Sequence, residues 1–85
     1  MRVEDLLQRL QDLSEMISQG RAGSPQKLAQ KFGCSSRSII TYVNILRGFG
    51  QQIWYCRKSN AYLCSRKGRL EIRFVPDEEL KKKSI

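Results

Sequence analysis

The sequence predicts an α+β domain in which three helices precede a β-hairpin and one further strand. Three observations carry this prediction. Apolar residues recur at helical spacing in three windows before Gly50, the pattern changes to alternation after it, and turn-forming residues separate the windows. The chain has 85 residues, enough for one domain with a modest core and little room for a deep cleft. The expected organisation is a domain over residues 1–75, with helices at 2–18, 25–33 and 36–48, a hairpin at 51–65 and an extra strand at 69–75, followed by a charged tail over 76–85.

The first helix follows from Val3, Leu6, Leu10, Leu13 and Ile17, which step by three and four residues and form one apolar seam, with Leu7 and Met16 off the main line. A Gly-containing loop, Gln19 to Gly23, ends it. In the second window Ser24 can cap a helix whose first turn accepts Pro25, Leu28, Ala29 and Phe32 form its inner side, and Gly33 stops it. Cys34 and Ser35 make the corner, Ser35 or Ser36 can cap the third helix, and Ile39, Val43 and Leu46 mark its buried line. At 100° per residue that line turns Arg37, Thr41, Asn44 and Gly48 outward, with Ile40, Tyr42 and Ile45 on the flanks. Two helices joined by so tight a corner form a helix–turn–helix, its second helix presenting one narrow polar strip.

Beyond Gly50, Ile53 and Tyr55 alternate in one run and Tyr62 and Cys64 in the next, with Arg57-Lys58-Ser59-Asn60 as the turn. Placing Tyr55 opposite Tyr62 puts Ile53 opposite Cys64 on the inner face, and pairs Trp54 with Leu63 and Cys56 with Ala61 outside. That outer face is more apolar than solvent tolerates. In the last window Leu70, Ile72 and Phe74 alternate with Arg69, Glu71 and Arg73 between Gly68 and Pro76, which predicts a strand that covers the hairpin or pairs with its mate in a homodimer. The tail places acids before lysines, with Glu78–Lys82 and Glu79–Lys83 at helical spacing.

Charge is unevenly spread. Residues 1–20 carry two arginines against four acids, whereas residues 21–76 carry eleven lysines and arginines against Glu71 alone. Such a block is the footprint of a surface that meets a polyphosphate. No apolar run approaches the ~18 residues of a membrane helix, and the acidic, amphipathic N-terminus is unlike a signal peptide, so a cytoplasmic location is expected. Cys34, Cys56 and Cys64 are an odd number without C-x-x-C spacing, and the chain has no His. Reduced thiols are therefore expected, and no metal or cofactor is called for. With no nucleophile beside a base and no Gly-rich phosphate loop after a strand, an enzyme is not expected.

Three helices and a basic hairpin make a winged helix–turn–helix. Ser24, Leu28, Ala29, Phe32 and Gly33, then Ser35, Arg37, Ser38, Ile39 and Leu46, then Ile53, Tyr55, Tyr62 and Cys64 follow a known pattern. Together they resemble the bacterial winged domains at the N-termini of DeoR-type regulators and of the biotin repressor. The sequence departs from that pattern at Thr41 and Tyr42, where an Arg-Asp pair is usual, and at Cys56, where an acid is common. The resemblance implies a small DNA-binding transcriptional regulator with helix 36–48 in the major groove of double-stranded DNA and the wing on its backbone. The residues it designates are Arg37, Thr41 and Asn44 for base edges, Ser35, Ser36 and Ser38 for phosphate, and Arg57 and Lys58 at the wing tip. The departures at Thr41 and Tyr42 favour the alternative, an accessory or adaptor module that binds protein through Trp54, Leu63 and residues 69–75.

Overall fold

The structure is a computed structural model that describes residues 1–79. Three helices, α1 (Val3–Ser18), α2 (Pro25–Phe32) and α3 (Ser36–Gly48), are followed by an antiparallel hairpin of β1 (Ile53–Cys56) and β2 (Ala61–Cys64). The molecule is a small α+β domain of the shape that the helical and alternating windows predict.

Local chemistry sets the helix boundaries. Ser24 accepts the Lys27 amide at 3.2 Å and Ser35 accepts the Ser38 amide at 3.1 Å, each a side-chain cap on an otherwise orphan donor. At the other end, α1 closes with the Arg21 amide on the Met16 carbonyl and the Gly20 amide on that of Ile17. This closure needs a left-handed residue, and Gly20 supplies it with φ of 71°. The same wrap ends α2 at Gly33 and α3 at Gly50.

The core joins all five elements. Leu10, Leu13, Met16 and Ile17 of α1 meet Leu28 and Ala29 of α2, Ile39, Tyr42, Val43 and Leu46 of α3, and Ile53 and Tyr62 of the hairpin. Two helical predictions are corrected here. Val3, expected in the seam, is 67% exposed because it lies a full turn beyond the last partner of α1, while Met16 is buried. Tyr42, placed on a flank, is buried as well.

The hairpin has the expected register, Ile53 opposite Cys64, Trp54 opposite Leu63, Tyr55 opposite Tyr62 and Cys56 opposite Ala61. Ile53 and Tyr62 are its buried residues, whereas Tyr55 is exposed and meets Tyr62 edge-on, with ring centroids 5.3 Å apart. The Tyr62 amide, on the outer edge of β2, donates to the Gly23 carbonyl at 3.1 Å, so the loop between α1 and α2 occupies that edge.

Residues 69–75 do not form the predicted strand. The chain leaving β2 is instead drawn along α1 by two serine hydroxyls: Ser18 accepts the Gly68 amide at 2.7 Å and Ser14 accepts the Leu70 amide at 2.8 Å. With the outer edge of β2 occupied by Gly23 and the Ile53 carbonyl of β1 taken by Arg47, residues 69–75 pair with neither strand of the hairpin. Residues 77–79 are helical. The pairings expected for Lys82 and Lys83 lie outside the described residues.

Ser14 is fully buried in an apolar helix face and is tied three ways. It donates to the Gln51 amide oxygen at 2.7 Å, accepts from Leu70, and its carbonyl receives the Gln51 amide nitrogen at 3.1 Å. Ser14→Ala leaves the Leu70 N–H and the Gln51 amide oxygen without their partner, while the Gln51 amide nitrogen keeps the residue 14 carbonyl. Unfolding free energy is expected to fall by about 1–3 kcal/mol, read as a lower urea midpoint; an unchanged midpoint would contradict this role.

Candidate nucleic-acid interface

The candidate interface is built on α3. Ile39, Val43 and Leu46 are fully buried against α1 and α2, so the opposite side of the helix faces solvent. Arg37, Thr41 and Asn44 are all exposed there. From Arg37 to Asn44 is seven helical steps, about 10 Å along the helix axis, a length comparable to three stacked base pairs.

The side chains on this strip differ in what they have free. The Arg37 guanidinium enters no ion pair among the described residues. Thr41 turns its hydroxyl back onto the Arg37 carbonyl at 3.2 Å, leaving its lone pairs to accept. The Asn44 side-chain oxygen receives Arg47 at 3.0 Å, which leaves its amide nitrogen pointing outward as a donor. Ser35 is exposed and caps the helix while its hydroxyl shares a 3.1 Å hydrogen bond with that of Ser38. Ser36 and Ser38 are half-buried. The serines thus serve first as the structure of the helix N-terminus, where free backbone amides suit an anion.

Arg57 and Lys58 occupy the hairpin turn, exposed and without an acidic partner among the described residues. The turn closes through Asn60, whose φ is 52° and whose side-chain oxygen accepts the Tyr55 hydroxyl. Ser59 bonds the Cys56 sulfur with its hydroxyl and its amide, which draws that thiol below its ordinary pKa. Burial acts the other way on Tyr62, raising its phenol despite the nearby Arg47 charge. All three cysteines are free.

The other basic residues separate by partner. Arg69 meets Glu15 at 3.7 Å, and Arg73 grips Glu71 and Glu79, each at 2.6 Å, so their charge is locally balanced. Arg66 and Lys67 lie at the base of the hairpin, about 13 Å from its tip by strand length, where they border a shallow groove with Phe49 and Leu70. The sequence analysis missed Arg47. Its Nε donates to the Ile53 carbonyl at 3.0 Å, so one guanidinium joins the end of α3, the Asn44 side chain and the first residue of the hairpin. The signal was present: Asn44 and Arg47 are three apart on a helix surface, next to the strand that follows.

No family model, curated protein or solved structure matches the chain. The case for this surface therefore rests on its own charge and geometry. No described helix is long and apolar enough to cross a membrane.

Arg47→Ala should loosen the hairpin without touching the helical core. The amides of β1 and β2 are expected to exchange about five- to tenfold faster, corresponding to about 1 kcal/mol, while those of α1 and α3 keep their protection. Equal acceleration everywhere would mean that Arg47 holds the whole domain rather than the hairpin.

Proposed function

We propose that this protein binds duplex DNA as a small regulator, with α3 in the major groove and the wing tip against the backbone. The observation that carries the proposal is the placement of unpaired charge. Among the described residues Arg37, Arg57 and Lys58 form no ion pair, as Arg21, Lys27, Lys31, Arg47, Arg66 and Lys67 form none, whereas Arg69 and Arg73 are balanced by carboxylates. What sets the first three apart is their place on the outward strip of α3 and on the hairpin turn. Cations left uncompensated on a recognition strip and on a turn serve no packing purpose. They suit a partner whose phosphates release counterions when neutralised.

The strip has the chemistry for base readout as well. Arg37 offers a planar fork for guanine, and the Asn44 amide nitrogen and the Thr41 hydroxyl offer shorter-range hydrogen bonds. The α3 amides at its capped N-terminus, with the hydroxyls of Ser36 and Ser38 close by, suit a phosphate oxygen. Arg47 contributes indirectly by fixing the wing relative to α3.

The test is fluorescence anisotropy of the full chain against duplexes drawn from a random pool, at two salt concentrations. Affinity should fall steeply with salt. Arg37→Ala should weaken the selected sequence by about 1–3 kcal/mol and relax its specificity, whereas Arg57→Ala with Lys58→Ala should weaken all sequences alike and flatten the salt slope by about two. Absence of binding at low salt would overturn the proposal and leave Trp54 and Leu63, on the outer face of the hairpin, as the surface to explain.

A further inference from the structure

The segment after the hairpin has the alternation of a strand and pairs with neither strand of its own chain. Its first half is extended, as its anchoring shows. Ser14 and Ser18 stand one helical turn apart, about 6 Å, and they receive the amides of Leu70 and Gly68, two residues apart, which an extended chain separates by about 6.6 Å. The match requires the chain to run antiparallel to α1 with the amides of Gly68 and Leu70 pointing at the helix. In an extended chain the intervening residues turn their backbone groups to the opposite side. Arg73 and Glu71, two apart, touch at 2.6 Å, which places them on one face as continued extension demands. Among the described residues none of 69–75 makes a backbone–backbone hydrogen bond. Ile72 is 39% exposed and Phe74 87%.

We infer that Arg69–Val75 is a pairing edge whose partner is the same segment of a second copy, antiparallel and centred on Ile72. The register follows from complementarity. Centring on Ile72 sets Glu71 opposite the partner's Arg73, twice by symmetry, on one face, so the Arg73–Glu71 contact that each chain makes within itself is exchanged for one across the axis while Arg73 keeps Glu79. At the exposed ends of the same face Arg69 lies opposite the partner's Val75. On the other face it sets Leu70 opposite the partner's Phe74 and Ile72 opposite the partner's Ile72. Centring on Glu71 or Arg73 places like charges face to face at the axis, and a centre between residues sets apolar side chains against charged ones; both are unfavourable. Backbone direction agrees independently. Because the amides of Gly68 and Leu70 are spent on α1, the free edge belongs to Arg69, Glu71 and Arg73. Glu71 and the partner's Arg73 therefore form a hydrogen-bonded pair, and the two Ile72 residues a close, non-hydrogen-bonded one. The contact is self-complementary and closes as a dimer, which uses up both edges and leaves none to propagate. It does not depend on the DNA reading, and α3 and the wing tip contribute nothing to it.

Two measurements test it on the full chain. By light scattering at increasing concentration, the wild type should become a dimer, and Ile72→Lys, which sets two cations against each other at the axis of an exposed site, should remain a monomer with an unchanged circular dichroism spectrum. In a background with Cys34, Cys56 and Cys64 replaced by serine, Ile72→Cys should oxidise to a covalent dimer at least about tenfold faster than Phe74→Cys. The first pair of Cα atoms sits about 4.5 Å apart, within disulfide range, and the second about 13 Å. A wild type that stays monomeric throughout, or equal oxidation rates at the two positions, would overturn the inference.

Discussion

The packing of one side of α3 governs the rest of the molecule. Ile39, Val43 and Leu46 are fully buried against Leu13, Ile17 and Leu28, each worth roughly 1.5–3 kcal/mol of burial. A domain of this size has a net stability of only about 5–15 kcal/mol, so turning α3 about its axis to expose even two of these residues would consume a large share of it. The rotation of the helix is therefore fixed from inside. Arg37, Thr41 and Asn44 face outward as a consequence of what Ile39, Val43 and Leu46 do inward, and the candidate interface is the reverse side of the core.

Polar contacts then fix what the small core does not reach. The buried Ser14 joins α1 to the entry of β1 through Gln51 and to the chain after β2 through Leu70. Arg47 joins the end of α3 to Ile53. Both side chains act at the entry to β1, Ser14 through the Gln51 side chain and Arg47 through the Ile53 carbonyl. The hairpin is thus anchored at its base while its tip, with Arg57 and Lys58, stands free in solvent.

Much of this was legible in the sequence, and for local reasons. Caps at Ser24 and Ser35, glycine stops at Gly20, Gly33 and Gly50, and a four-residue turn between alternating runs act over a few residues, so the elements and the hairpin register could be read directly. The misreadings share a different cause. The role of Ser14 left no signal in the sequence because its partners, Gln51 and Leu70, are distant from it along the chain. The alternation of 69–75 predicts a strand only where an edge is open, and the loop carbonyl of Gly23 had already taken one. Tyr42 is buried in a cluster that draws on every element of the domain, surroundings that a helix wheel drawn from α3 alone does not contain. At the candidate site, the outward strip was readable from periodicity, but Arg47's hold on Asn44 and on the wing was not, because it depends on where β1 returns against α3.

The separation of charge gives the surface its direction. Acids dominate α1 and cations the chain that follows; among the described residues only Arg69 and Arg73 of those cations form ion pairs, which leaves Arg37, Arg57 and Lys58 unbalanced on the outward strip and the hairpin turn. The most direct test is an amide-resolved NMR titration of the full chain with a short duplex. The account predicts shifts concentrated at residues 35–44 and 57–60, with α1 and residues 68–75 unmoved. Shifts confined to α1 or to residues 68–75, with α3 and the wing tip silent, would contradict it.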